Sequence, residues 1–364
     1  MSDTYRVQEA ELTRFTREVF AACDMTPEHA ATLADNLVQG ELHGLGSHGV
    51  SRLLPTYVER LRRGGINPRP APRILSRRGT TGVVDGDDGP GAVVGQFAMD
   101  LVLEMAREHG SGWVAVRNST HFGAAFLYAR RALAEAMIGL ATTAAIPMVL
   151  PYGGRAPALG TNPICIAVPG GERGPIILDM ATSVVARGKI QLAVVEHKDI
   201  PLGWAVDHDG NPTTSAVEGA KGYLLPMGAY KGYGLAAIVE VFSSVLSGAA
   251  IGAGIGAMFT DMDKPQGMGH FFGALDVSGF MPLDEFRWRM DALIGYLKST
   301  PLAEGVEEIL VPGEPEARKA AAYRVEGIPL AEGVVSAVQQ VAADLGVEPL
   351  QVICVPGTEG VPEL

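Results

Sequence analysis

"GELHGLGSHGVSRLLPTYVERLRRGG", Gly40–Gly65, decides how the chain is partitioned. Glycines 40, 44, 46 and 49 surround His43 and His48. Leu54, Val58 and Leu61 then recur on one helical face. Pro55 has no N–H to donate and fits a helix only in its first turn. The helix is therefore predicted from about Leu54 to Arg63, with His48–Leu53 as a separate turn ahead of it. Ser47, His48 and Arg52 then share a glycine-flanked corner. Such a corner is either a reactive group held at an element's end or a loop with an incidental histidine.

Working outward, "GGINPRPAP" (Gly64–Pro72) reads as a linker and a domain boundary. Before it the chain is helical. Leu12, Phe15, Val19 and Phe20 form one stripe, and Thr26 with Pro27 starts a second helix that buries Leu33 and Leu37. After the linker the texture alternates. "TGVVDGDDGPGAVVG" reads as strand, turn and helix start, and "FAMDLVLEMAREHG" as an amphipathic helix closed by Gly110. "GWVAVRNS", "IGLATTAA", "PICIAVP", "PIILDMATS" and "FFGALDVSGF" read as strands. "AFLYARRALAEAM" and "GYGLAAIVEVFSSVLSG" read as helices, as does "LDEFRWRMDALIGYLKS", with Phe286, Met290, Leu293 and Leu297 inward. "LAEGVVSAVQQVAADLGV" is the last helix. This alternation predicts an α/β or α+β domain of roughly 200 residues.

Composition narrows the function classes. With 47% apolar and 19% charged residues among 364, the chain is globular. A net charge of −12 argues against a phosphate-backbone partner, so no nucleic acid is expected. Cys23, Cys165 and Cys354 are too scattered for a metal cluster or disulfide framework, which suits a reducing cytoplasm. "MSDTYRVQEAELTRF" lacks the basic and apolar regions of a signal peptide. "VLSGAAIGAGIGAMF" falls short of the ~20 residues of a membrane span, so no membrane association is expected.

No G-x-S-x-G, H-E-x-x-H, Walker A or C-x-x-C is present. "GAGIGAMF" (Gly252–Phe259) follows a helix where a dinucleotide fingerprint needs a strand, so it reads as a structural turn. What remains is six polar corners at the ends of apolar elements: Gly44–Arg52, Arg117–Ala125, Pro151–Pro163, Asp179–Lys189, Gly228–Gly234 and Leu310–Glu316. Each also has a plain structural reading. His121 could cap a helix, Asn162 could fill a turn, Thr182 and Ser183 could be an N-cap pair, and Lys231 could be a solvated charge.

Taken together, eight colinear blocks resemble the malate/L-lactate dehydrogenase family of the non-Rossmann type. They are "GLGSHGVSRLLPTYVERL", "VRNSTHFGAAFLYARRA", "PYGGRAPALGTNPICIAVP", "ILDMATSVVARGKI", "PLGWAVDHDGNPTT", "KGYGLAAIVEVFSSVLSGA", "GHFFGALDVSGF" and "ILVPGEPE". That family includes sulfolactate and ureidoglycolate dehydrogenases, a diketogulonate reductase and Δ1-piperideine-2-carboxylate reductases. The resemblance implies hydride transfer between NAD or NADP and C2 of a small 2-oxo or 2-hydroxy acid, in a homodimer with its site near the subunit interface. It implies a non-Rossmann cofactor domain of mixed, largely antiparallel sheet over residues 73–283. It also implies a smaller helical domain over residues 1–72, joined by C-terminal helices from about 284–350.

Carried over residue by residue, His48 matches the proton donor and acceptor, Ser47 its orienting neighbour, and Arg52 the substrate-carboxylate contact. Thr161 matches a substrate contact. His121, Phe122, Gly123, Ala124 and Ala125 match a cofactor loop, and Leu178 and Asp179 a nucleotide-binding strand end. Lys231, Gly232, Gly313 and Glu314 match further cofactor segments. Lys189 stands where keto-acid members carry lysine and imine reductases an acid, so it is a catalytic candidate. The chemistry is coherent. An imidazole with an ordinary pKa of about 6.5 serves both directions of a reversible step. A guanidinium holds a carboxylate through two bonds and so fixes the face of C2. Two other readings stand beside this one: a reductase of cyclic 2-imino acids, and a silent metabolite-binding paralogue.

Overall fold

A computed structural model describes residues 4–355. Along the chain, β1 (Thr4–Val7), α1 (Glu9–Ala21), α2 (Pro27–Leu42) and α3 (Val50–Arg63) come first. β2 (Arg73–Arg78), β3 (Thr81–Gly89), α4 (Gly91–His109), β4 (Ser111–Ser119), α5 (Phe126–Ala129), β5 (Met137–Thr143), β6 (Ile164–Val168) and β7 (Ile176–Met180) follow. Next come α6 (Arg187–Val195), β8 (Ala205–Val206), β9 (Pro212–Thr213), α7 (Ala216–Lys221), β10 (Tyr223–Leu224), α8 (Tyr230–Glu240) and β11 (Met268–Asp276). The chain closes with α9 (Leu283–Lys298), α10 (Glu314–Glu326), β12 (Ile328–Ala331), α11 (Glu332–Leu345) and β13 (Ile353–Val355).

The main sheet has seven strands in the order β2-β3-β4-β11-β5-β6-β7. Only β3 and β4 run parallel; every other neighbouring pair is antiparallel. The mixed, largely antiparallel sheet implied by the family resemblance is therefore observed. β11 is apolar along nearly its whole length because both of its faces are covered, and Met268–Ala274 are buried. α4 lies across β4 and β11 with Ala98, Met99, Val102 and Met105 inward, and Gly110 ends it in the left-handed conformation. Where β4 meets β11 the register slips by one residue, so Arg117 and Asn118 oppose Gly269 alone. This bulge, with Asn118 at φ 51°, turns the chain toward His121.

A second core joins the N-terminal helices to the last ones. Leu12, Phe15, Phe20, Leu33, Leu37, Leu54 and Tyr57 pack with Ala320, Val335 and Val338. β1 sits between β12 and β13 as a small sheet beside this core. Neither β1 nor α10 stands out in the sequence, because four residues of strand carry almost no periodic signal and α10 buries only Ala320 fully. No helix among the described residues is long and apolar enough to cross a membrane.

Four expectations about elements change. α3 begins at Val50 rather than Leu54. α5 spans one turn and tightens into a 3-10 turn over Arg130–Glu135, because Ala136 must take a left-handed conformation to enter β5. α8 passes into a π-turn over Val241–Val245, where the Ser243 hydroxyl pairs with that of Thr142 at 3.0 Å. α9 buries Met290 and Ile294, while Leu293 and Leu297 stay exposed. Its neighbour is the Gly171–Arg173 turn, where the Asp291 carboxylate accepts the N–H groups of Glu172 and Arg173 at 2.9 Å each.

Candidate active site

The glycine-rich corner is built by a carboxylate from α2. Gly49 is the N-cap of α3 and has no side chain to offer. Glu41, 5% exposed, fills that role from outside the helix: its Oε1 accepts the Ser51 N–H at 2.5 Å. Burial raises the Glu41 pKa, and hydrogen bonds from Ser51 oppose the rise. The approach is close enough to demand glycine. A Cβ on Gly49 would meet Glu41 Cγ at 2.6 Å, and one on Gly40 would meet the His48 carbonyl oxygen at 2.7 Å. With its first turn pinned this way, α3 starts before Pro55, which becomes its sixth residue. Arg52 therefore sits in the first turn of the helix, and His48 ends a 3-10 turn over Gly46–His48 just ahead of it.

The structure puts His48 and His121 face to face, with ring centroids 5.7 Å apart and planes 18° from parallel. The Ser47 hydroxyl pairs with His48 Nδ1 at 3.0 Å. Gly123 donates its N–H to His121 Nδ1 at 3.3 Å, so that nitrogen is an acceptor and the ring proton lies on Nε2. The Tyr57 hydroxyl reaches the same Nδ1 at 2.8 Å, and the His121 N–H donates to Gln266 Oε1 at 3.0 Å. Desolvation, then the Arg52 guanidinium, hold His48 down to about 4. Desolvation, followed by the charges of His48, His270 and Arg52, hold His121 down to about 3. Both rings are neutral near pH 7.

Cations collect on one side of this pair. Arg52 donates to Gln191 Oε1 at 2.9 Å and lies over the Phe259 ring at 5.2 Å. Arg187 donates to the carbonyls of Ala220 and Gly222. Its charge adds to desolvation in lowering the Arg52 pKa. Gly188 brings the start of α6 against the corner, its Cβ position lying 3.7 Å from Ser47 Cβ and 3.9 Å from an Arg52 nitrogen. Lys189 is exposed on the first turn of α6.

The residues matched to cofactor binding form two groups. In the first, His121–Ala125 run into the start of α5, whose Phe126 N–H donates to the Asp179 carboxylate at 2.8 Å. Leu178 adjoins Asp179 on β7, and Gly313 backs onto Ile177 of that strand, where the Ile177 N–H donates to Pro312 O at 2.9 Å. Glu314 is engaged elsewhere: Lys298 and Arg318 bind its carboxylate, and the bond from Lys298 above all holds it down to about 2. Phe122 is buried between His270 and Tyr128. In the second group, Thr161 O accepts the Thr182 N–H, and Met227 N–H donates to Thr182 O. A Cβ on Gly232 would strike Met227 O and Thr182 O. Lys231 is exposed beside it, near a cavity of about 390 Å³ lined by Tyr152, Gly153, Gly154, Gly228 and Ala229. Among the described residues no hydrogen bond joins Thr161, Lys231 or Glu314 to His48 or Arg52.

Tyr57, Gln266, Arg187, Gln191 and Glu41 also belong to this site, and sequence reasoning did not single them out. Tyr57 and Glu41 sit inside the opening stretch, five residues after Arg52 and seven before His48, yet each reads as ordinary helix. Gln266 and Gln191 carry no local signal at all, because only the fold brings them near.

A family model described as malate/L-lactate dehydrogenase matches residues 7–339. A malate dehydrogenase of Pyrococcus horikoshii is 38% identical over 95% of this chain and 97% of its own. An L-sulfolactate dehydrogenase of Methanocaldococcus jannaschii is 39% identical over 88% of this chain and 91% of its own. Its solved structure superposes with a TM-score of 0.88, covering 94% and 98% of the two chains. The malate dehydrogenase of Entamoeba histolytica gives a TM-score of 0.90 at 32% identity, covering 95% and 99%.

Proposed function

Because the chain belongs to the malate/L-lactate dehydrogenase family, we propose that it interconverts a small 2-hydroxy acid and its 2-oxo acid, with His48 as acid and base and Arg52 holding the carboxylate. The observation that carries this is the His48 ring, paired with Ser47, one turn from Arg52 and facing His121. A nicotinamide cofactor supplies and removes the hydride when bound. The residues suited to hold it are His121–Ala125, with a left-handed Gly123 at φ 78°, together with Leu178, Asp179 and Gly313.

In the oxidising direction the C2 hydroxyl proton passes to His48 Nε2, since Nδ1 is engaged by Ser47. A hydroxyl partner can donate to Nδ1 or accept from it, so Ser47 supports both protonation states of the ring. Arg52 neutralises the substrate carboxylate. Its charge is one cause of the low His48 pKa, so pairing with an anion relaxes that pKa upward and favours proton uptake.

The Arg52 and Arg187 guanidinium groups, whose charges act on one another, suit a substrate with two negative charges, as in the malate and sulfolactate dehydrogenases among the relatives. We expect kcat/KM for oxaloacetate and sulfopyruvate to exceed that for pyruvate by about tenfold or more, one charge-assisted bond's worth. The cyclic-imine reading is not favoured, because the charges at the site are cationic and the relatives at 38–39% identity act on hydroxy acids. A panel of these acids and Δ1-piperideine-2-carboxylate, each with NADH and NADPH, tests the reading. Turnover of the imine alone would overturn it.

A homodimer is supported by the apolar side chains left exposed on α8 and its π-turn: Leu235, Ile238, Val241, Phe242, Val245 and Leu246. Light scattering should return twice the chain mass. A cytoplasmic setting is supported by Cys23 and Cys165, which are buried and unpaired.

A further inference from the structure

We infer that Phe259 is a positioning residue for substrate binding, set over the Arg52 guanidinium by a loop that the buried Arg60 clamps to α3. The inference rests on the assignment of the substrate carboxylate to Arg52. Arg60 is fully buried, and among the described residues no carboxylate accepts a hydrogen bond from it. Its guanidinium instead donates to five backbone carbonyls. Nη1 reaches Ala257 O at 3.4 Å, Met258 O at 3.3 Å and Asp261 O at 2.8 Å, and Nη2 reaches Gly65 O at 3.1 Å and Lys264 O at 2.7 Å. A cation taken wholly out of water needs partners of this kind, and a surface position would have cost nothing. What the arrangement secures is the loop.

Two further anchors fix its shape. The Asp261 carboxylate accepts the Ala257 N–H at 3.1 Å, and the Met258 side chain is buried in the helical core. Between them Phe259 turns outward, 45% exposed, with its ring 5.2 Å from the centre of the Arg52 guanidinium. Arg52 and Arg60 lie on the same helix. α3 thus supplies both the guanidinium and the clamp for the ring that covers it. An aromatic face stabilises a guanidinium and shields it from water on one side, while leaving its edge N–H groups free for a carboxylate. The same loop ends at Gln266, which accepts the His121 N–H, so one segment borders both halves of the site.

The test compares Phe259→Ala, Phe259→Tyr, Arg52→Ala and the double variant Arg52→Ala/Phe259→Ala. It measures kcat and KM for oxaloacetate, NADH affinity by fluorescence, and Tm. Phe259→Ala should raise KM about fivefold. Its kcat should stay within about twofold, with NADH affinity and Tm unmoved. Phe259→Tyr should restore the KM, and in the Arg52→Ala background the loss of the ring should add nothing. Arg60→Met should raise KM in parallel while lowering Tm; if it fails to fold, the Phe259 variants carry the test. A rise in KM with Arg52→Ala but none with Phe259→Ala overturns this inference alone. A KM unmoved by Arg52→Ala removes the Arg52 assignment and this inference with it. A parallel loss of kcat, NADH affinity and Tm in Phe259→Ala would make the ring merely structural and overturn the inference too.

Discussion

His48 and His121 make an unequal pair. His121 is locked by Gly123, Tyr57 and Gln266, whereas His48 has Ser47 beside it and faces the cations. His48→Ala should lose about 100- to 10,000-fold in kcat with a modest change in KM, read by steady-state kinetics. Near-normal turnover would remove it as the proton-transfer group. With His48 down at about 4, kcat/KM for hydroxy-acid oxidation should stay nearly level on acidification to about pH 5 and fall to half near pH 4. Arg52→Gln removes a positive neighbour, so the acid limb should move to higher pH; a limb that stays in place would show that the two groups do not interact. Ser47, His48 and Arg52 are legible in sequence because they lie within six residues of one another. Arg60 is less so, although it falls at i+7 from Leu53 and i+3 from Tyr57, on the apolar stripe where a charge has to be explained.

At the scale of elements, the start of α3 depends on another helix. Glu41 caps it from α2, and Gly49 leaves room for that carboxylate. Glu41→Gln keeps an acceptor oxygen and should cost little. Glu41→Leu should lower stability by about 1–2 kcal/mol, seen in denaturant unfolding, and should lower kcat by loosening the His48 corner. Wild-type stability in Glu41→Leu would show that the corner needs no cap. The proline rule placed this helix four residues late because it weighs only local hydrogen bonds. A carboxylate supplied by α2 holds the first turn together ahead of Pro55. α9 repeats the lesson: its stripe was correct in period but rotated, since Gly171–Arg173 covers one ridge and leaves Leu293 and Leu297 outside.

For the whole molecule, three buried or half-buried imidazoles shape acid stability. His270 is fully buried. The Thr143 hydroxyl donates to Ala144 O and so accepts from Nδ1–H, while the Ser119 hydroxyl serves Nε2. Desolvation holds His270 down to about 3, beside His121 at about 3 and His48 at about 4. The unfolded chain protonates these rings near pH 6.5, so between that pH and about 4 it binds more protons than the native state. Stability should be full above about pH 6.5 and fall as pH drops through this window, checked by Tm against pH; a flat Tm from pH 7 to 5 would contradict it. The sequence by itself determined the alternation of helix and strand, the linker after α3, the absence of a dinucleotide fingerprint and the family, because periodicity and short colinear motifs are local properties. Only the tertiary structure decided that His121 faces His48, that Arg187 and Gln191 stand beside Arg52, and that a buried arginine holds Phe259 above it. Those pairs are separated by 73 to 207 residues along the chain, and contacts across such distances are set by strand order and core packing, which no local pattern records.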